Sequence, residues 1–433
     1  MRKVLAMNEV AMIFVVLVAT ITLGVPIPIA VAIGTIIGYY YIDMPYVALA
    51  QAMYTGIEPL PLMTIPLFVF AGALMEKGGL AHRVVRIAQS LVGSYRGSLG
   101  IVAVLGCTFF AALSGSGPAT TAAIGAVVVP AMIRERYDAA FGGAVVASGG
   151  ALGSLIPPSN LMIIFGIISD NSIPRLFLAG ILPGILASFL LMLCTWFIAK
   201  KNGYGGWKEP FSWTCFRDSL WDGKWAISAP VVILGGIYSG VFTPTEAASV
   251  AVVYASFVGK ILYRELTLEK IVACMKTTAM ISGSVVIILG PAKAFGELMS
   301  LMEVPELIGD FLTDFTSSRF VLLMVIAGVL IVSGMFLESI AQIILLTPLM
   351  LPIAVSIGIH PIVFGVFMVI ACEIGFLTPP VGANLFVAAR ITRLGVDRIS
   401  TAVLPFLLTY IAVLIIIALF PHIVLILPEL AFG

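Results

Sequence analysis

Gly153-Ser154-Leu155-Ile156-Pro157-Pro158 returns 222 residues later (375 minus 153) as Gly375-Phe376-Leu377-Thr378-Pro379-Pro380. The same offset carries Pro130 to Pro352 and Leu182-Pro183 to Leu404-Pro405. Chance readily supplies one Pro-Pro pair, but not a register shared by several motifs. Proline removes a backbone donor and crowds the turn before it, so two in succession interrupt a helix. Each pair lies within a long apolar run, 139–167 and 361–388. Each run therefore reads as a broken transmembrane helix.

Ahead of each broken helix lies a pair of shorter apolar runs, 98–113 with 117–133 and 320–336 with 340–357. Each member is about 16 residues, marginal against the roughly 20 that a full span needs. A cluster of small or polar residues divides each pair. Two half-helices that enter and leave on one side, a re-entrant hairpin, fit this pattern. The remaining runs, 8–24, 26–42, 60–76, 174–199, 226–241, 243–263, 277–293 and 402–427, read as spanning helices. The expected fold is an all-α polytopic membrane protein of two repeats, 1–200 and 226–433, joined by a cytoplasmic linker at 201–225. Each repeat holds three helices, a hairpin, a broken helix and a last helix.

Lys and Arg concentrate in cytoplasmic loops. Arg83, Arg86 and Arg96 precede the first hairpin, and Arg134 and Arg136 follow it. Other basic loops carry Lys200, Lys201, Lys208, Arg217 and Lys224, then Lys260, Arg264 and Lys270, then Arg390, Arg393 and Arg398. The flank before the second hairpin is acidic, with Glu297, Glu303, Glu306, Asp310 and Asp314 against Arg319. The first hairpin should enter from the cytoplasm and the second from outside. The two repeats then have inverted topology, and both termini lie outside. Arg2 and Lys3 oppose that placement weakly, and Met7 offers an alternative start. The first apolar run reads as a membrane helix rather than a signal peptide, because another apolar segment follows it. Repeats inverted about an axis in the membrane plane are the architecture of alternating access.

Composition agrees. Of 433 residues, 61% are hydrophobic and 10% charged, against roughly 45–50% and about 25% in soluble domains. Mean hydropathy is +1.14. The net charge of +1 gives no basic face for nucleic acid. Five scattered cysteines without C-x-x-C, and three scattered histidines without HExxH, give no support for a disulfide framework, a thiolate metal site or a metallohydrolase. A nucleophile elbow and a phosphate-binding Gly-rich loop are also missing, so the sequence gives no sign of an intramembrane enzyme or an ATP-driven pump.

Irregular backbone survives at membrane depth only where protein buries it or it lines a cavity. Four interruptions qualify. The first hairpin turns at Ser114-Gly115-Ser116-Gly117-Pro118-Ala119-Thr120 and the second near Glu338-Ser339-Ile340-Ala341-Gln342. The broken helices unwind at Pro157-Pro158-Ser159-Asn160 and at Thr378-Pro379-Pro380, followed by Gly382 and Asn384. Freed carbonyls with nearby hydroxyls can surround sodium, and half-helix N-termini suit a substrate carboxylate. Two sodium sites are expected from Ser114, Ser116, Gly153, Pro157, Ser159, Glu338, Gly375, Thr378, Pro379 and Gly382. Substrate contacts are expected from Ser114, Gly115, Ser159, Asn160, Ser339, Gly382 and Asn384. The competing readings are a simple proline kink and small-residue helix packing. Glu338, a carboxylate at membrane depth, can hold a cation, take part in proton coupling or cap the next half-helix. Lys293 reads as snorkelling to the interface, and Glu246 as starting a helix with Thr243-Pro244-Thr245.

Through these motifs the chain resembles the large membrane subunit of TRAP transporters, the DctM-like family of the ion transporter superfamily. The matching text is Ala112 to Thr120, Gly153 to Ser159, Gly334-Met335-Phe336-Leu337-Glu338 and Glu373 to Gly382, in family order over most of the chain. The resemblance implies sodium-driven uptake of organic acids from the periplasm across the bacterial inner membrane. It implies an elevator mechanism and two partners, a small four-helix DctQ-like membrane subunit and a soluble DctP-like substrate-binding protein. It also places Ser114, Ser116, Pro157, Ser159, Thr378, Pro379 and Gly382 at the sites. Asn160 departs from the family, which usually has an apolar residue there. A proton-coupled symporter of the same fold and a passive channel remain as alternatives.

Overall fold

The computed structural model describes residues 2–93, 95, 97–205, 212–316 and 318–433. Arg96 and Lys208 lie outside the described residues, as do the side chains of Arg2, Lys3 and Asp314. Among the described residues there are helices and no strand.

The first half comprises α1 (Arg2–Thr22), α2 (Ile27–Tyr41), α3 (Tyr46–Ile57), a 3-10 turn (Leu60–Met63), α4 (Thr64–Lys77), α5 (Leu80–Val92), α6 (Ser98–Ser114), α7 (Gly117–Arg134), α8 (Ala139–Leu155), α9 (Asn160–Ile168) and α10 (Ile173–Lys201). A short helix, α11 (Trp213–Asp222), follows. Then come α12 (Lys224–Tyr238), α13 (Pro244–Phe257) with a π turn (Val258–Leu262), α14 (Leu268–Leu301), α15 (Val304–Phe315), α16 (Arg319–Gly334), α17 (Ser339–Ser356), α18 (Pro361–Phe376), α19 (Ala383–Thr392), α20 (Val396–Leu419) and α21 (His422–Phe432). Among the described residues, seven helices are long and apolar enough to cross a membrane, or eight if the bent α3–α4 pair is one span.

The 222-residue offset runs through the helices as well as the motifs. It carries the bounds of α7 onto those of α17, and the starts of α1, α3 and α8 onto those of α12, α14 and α18. Capping follows the same register. Asp138 accepts from the amides of Ala140 and Phe141 at 2.7 and 3.0 Å to start α8. His360, 222 residues on, accepts from Ile362 at 3.2 Å to start α18. Thr243 and Glu246 form a reciprocal capping box at α13, satisfying two orphan amides.

Several boundaries differ from the sequence reading. The run at 277–293 belongs to a 34-residue helix, α14. The run at 402–427 divides at Phe420 and Pro421 into α20 and α21. Four helices, α3, α5, α11 and α15, lie outside the apolar runs. α5 places Arg83 and Arg86 on its polar side. Arg83 pairs with Glu265 at 2.7 Å and Arg86 with Asp222 at 3.0 Å, tying α5 to α11 and to the turn before α14.

The helices pack as two groups. One holds α1–α4 with α12–α14, and the other α6–α10 with α16–α21. α5, α11 and α15 lie on the connections between them. In the second group α7 lies along α8, whereas α17 packs against α9. Because α8 and α9 are consecutive segments of one span, the two hairpins pack against its opposite ends.

Candidate functional site

Each hairpin tip faces its own break. At the first, Gly115 takes a left-handed φ of +61° that a side chain would strain. Its carbonyl accepts the amide of Asn160 at 3.2 Å. Gly153 abuts the Ser116 carbonyl so closely that a Cβ would lie 2.5 Å from it. At the second break Gly375 comes equally close to α16, where a Cβ would lie 2.6 Å from the Ile331 carbonyl. The Val381 amide donates to Met335 at 3.1 Å.

A polar tie crosses each hairpin from equivalent positions. Thr120 meets the Ser114 hydroxyl at 2.6 Å. Gln342, 222 residues on, donates to the Leu330 carbonyl and to Ser333 Oγ at 2.9 Å. The Ser159 hydroxyl donates to the Ser154 carbonyl and accepts from the Met162 amide at 3.3 Å, capping α9. Thr378 Oγ1 donates to the Ile374 carbonyl at 2.8 Å.

A cavity of about 390 Å³ opens between the two helix groups, a volume at the small end for ligand sites. α4 contributes Val69, Gly72, Ala73 and Glu76, and α14 contributes Thr277 and Ile281. Ser114 to Ala119, Ser154, Asn160, Leu161, Glu338 to Ile340, Glu373 and Phe376 complete the wall. Of the residues singled out in the sequence, Ser114, Gly115, Ser116, Asn160, Glu338 and Ser339 meet at this cavity. Gly153, Pro157 and Ser159 lie buried behind the first tip, while Gly375, Thr378, Pro379 and Gly382 form the second break away from the lining. Asn384 is fully buried, with neither amide atom hydrogen-bonded.

Glu338 stands at the N-cap position of α17 without a side-chain cap bond and is exposed to the cavity. Glu373 is 2% exposed. Its Oε1 accepts from Ser339 Oγ at 3.4 Å, while Oε2 has no partner. Glu373 begins the Glu373 to Gly382 motif, and nothing in that motif alone gives it a role. A lone carboxylate in the apolar run 361–388 was the available signal. Glu76 pairs with Lys77 at 2.9 Å. Neither Glu338 nor Glu373 has an ion pair among the described residues, and no Lys, Arg or His lines the cavity.

A family profile described as the tripartite ATP-independent periplasmic transporter, DctM component, matches residues 10–423. The chain is 39% identical over 406 residues to the isethionate TRAP transporter permease protein DctMQ of Oleidesulfovibrio alaskensis, covering 93% of this chain and 64% of that protein. It is 36% identical to the C4-dicarboxylate TRAP transporter large permease protein DctM of Rhodobacter capsulatus, covering 96% and 98% of the two chains. It is 37% identical to the sialic acid TRAP transporter large permease protein SiaM of Vibrio cholerae, covering 89% and 90%. Among solved structures, the Alcanivorax borkumensis YdaH transporter, whose report describes an unusual topology, shares the fold. Its TM-score is 0.61 at 16% identity, over 87% of this chain and 88% of that one.

Proposed function

Because the chain belongs to the DctM-component family of tripartite ATP-independent periplasmic transporters, we propose that it is the large permease of such a system in the bacterial inner membrane, taking up small organic acids by cation symport. The observation that carries this reading is the charge of the cavity. Glu338 and Glu373 face it, unpaired among the described residues, and no basic side chain lines it. An organic anion entering alone would meet carboxylates with no basic side chain to offset them, and like charges at close range repel. Cations that enter with it offset that repulsion.

Sodium is the coupling ion in this proposal. The two breaks with their hairpin tips supply the carbonyls and hydroxyls that a hard cation prefers. Ser114, Ser116, Gly153, Pro157 and Ser159 belong to one cradle, and Glu338, Gly375, Thr378, Pro379 and Gly382 to the other. Substrate lies between, against Gly115, Asn160 and Ser339. Isethionate, C4-dicarboxylates and sialic acid, named for the relatives, set the substrate class. An elevator motion is supported by the two helix groups with the cavity at their boundary, and by Gly72 of α4, where a Cβ would lie 3.0 Å from the Ser114 carbonyl. The opposed packing of the hairpins supports inverted halves. A small four-helix membrane subunit and a periplasmic substrate-binding protein complete the system.

The test is uptake into proteoliposomes carrying both membrane subunits, supplied with the cognate binding protein at fixed pH. An inward sodium gradient should drive accumulation above the external concentration. Equal uptake in sodium and choline media would remove sodium, and accumulation driven by a proton gradient in choline would put the proton in its place. Equilibration without accumulation would leave a passive channel.

A further inference from the structure

A second cavity, also of about 390 Å³, lies on the same boundary between the two helix groups. Three helices border both cavities. α14 turns Ile281 to the central one and Lys293 to the second, α9 turns Leu161 and then Ile168, and α17 turns Ile340 and then Pro348. The cavities therefore stand one beyond the other along the same helices, about 18 Å apart by the rise of α14. Lys260, Arg264 and Lys270 flank the start of α14, and Glu303 and Glu306 follow its end. By the positive-inside rule the second cavity is then the outer one.

The sequence alone has Lys293 snorkelling to the interface, but its side chain enters this cavity instead. Gly56 of α3 directs it there. A Cβ at Gly56 would lie 2.7 Å from Lys293 Cβ, so the bare glycine lets α3 press on the lysine stem and fix its exit from α14. Lys293 Nζ stands 3.6 Å from Glu297 Oε1, with the two side chains 52% and 42% exposed. An i,i+4 pair of that length and exposure is weak, and another anion can take the place of Glu297. The hydroxyls of Thr55 and Ser300 share the wall, and no other Lys, Arg or His lines it among the described residues. The central cavity is the opposite case, with Glu76, Glu338 and Glu373 in its lining and no basic side chain. An anion coming from outside passes Glu303 and Glu306 and then approaches those carboxylates. Lys293 is the counter-charge placed between them, and a charge in a cleft with low-dielectric walls acts over a longer range than one in open water.

We propose that this second cavity is an outer vestibule in which Lys293 takes the acidic group of the incoming organic anion before it reaches the central cavity. This rests on the reading of the chain as an organic-acid permease and adds a waiting position to it. The ligand class is a small carboxylate or sulfonate, since an ammonium is a compact point charge indifferent to the plane of its partner. Glu297 holds the lysine when the vestibule is empty and yields it when the anion arrives.

The experiment uses the reconstituted complex, with uptake measured against the concentration of loaded binding protein. In a background without the native cysteines, Lys293→Cys should lower kcat/KM for uptake about 10-fold, the loss expected for one charge-assisted contact. A trimethylammonium-ethyl methanethiosulfonate added from outside should restore at least half of it, and the sulfonatoethyl reagent should restore none. Equal effects of the two reagents would overturn the proposal. The affinity of the purified complex for the binding protein should be the same with Lys293→Cys as without it. A loss of uptake that follows weaker docking would make Lys293 a protein contact and equally overturn the vestibule. Should the cysteine-free background fail to insert, Glu297→Gln in the unaltered chain frees the lysine and should raise kcat/KM two- to threefold, and an equal or lower value would refute the proposal. Absence of accumulation by the unaltered complex would instead refute the parent reading, so the two failures are distinguishable.

Discussion

The two double-proline breaks hold equivalent positions in the register, yet they differ in cover. Pro157 and Pro158 are buried, and Ser159 beside them caps the next half-helix through its side chain. Pro379 and Pro380 are exposed, and α19 starts from Gly382 in a left-handed conformation with no side-chain cap. The glycines that let the tips approach are equally tight in both halves. The repeat thus preserves the close approach of hairpin to break, while closure over the break is free to vary. In an alternating-access cycle, that is the property that should change from one state to the next.

Cysteine accessibility tests this contrast most severely. In a background without the native cysteines, Pro380→Cys should react with a membrane-impermeant maleimide about 100-fold faster than Pro158→Cys, because a buried site reacts only through transient opening. Equal rates would erase the distinction. Crowding the shared glycine comes next. Gly153→Ala would drive a methyl into the Ser116 carbonyl, and overpacking of this kind costs about 1–3 kcal/mol. Uptake should fall by about one to two orders of magnitude, while membrane insertion, read by detergent-solubilised yield, persists. Uptake at the unaltered rate would mean that the first tip has room to retreat. The smallest effect belongs to the cap. Ser159→Ala should lower stability by about 1 kcal/mol, read as a drop in melting temperature, whereas Val381→Ser at the equivalent position should leave it within about 0.5 kcal/mol. A larger effect at Val381 would show that the second break is sealed after all.

What was legible in the sequence was whatever interrupts an apolar run. Pro157-Pro158, Pro379-Pro380 and Ser114 to Pro118 announce themselves because proline and glycine act locally. The hairpin bounds at 98–114, 117–134 and 339–356 followed within a residue or two of the reading. The amphipathic α5 escaped an apolar-length criterion, since His82, Arg83, Arg86 and Gln89 interrupt Leu80–Val92. α14 was cut short because Lys270, Lys276 and Glu297 stand inside a continuous helix. Pro421 gave a signal for the division of α20 from α21 that hydropathy alone passed over. The convergence of Glu373 and Asn384 on Gly117 had no local trace, because it joins residues far apart in sequence. Only packing brings an acid from the second half beneath the hairpin of the first.

α14 has a practical consequence. At 34 residues it extends about 50 Å, well beyond the roughly 30 Å of hydrocarbon in a bilayer. It is one continuous helix, whereas its counterpart in the first half, α3 with α4, is bent by 52°. Spectroscopic labels at the exposed Leu301 and Leu268 ends would give a reference length, against which the position of either hairpin can be read directly in ångströms.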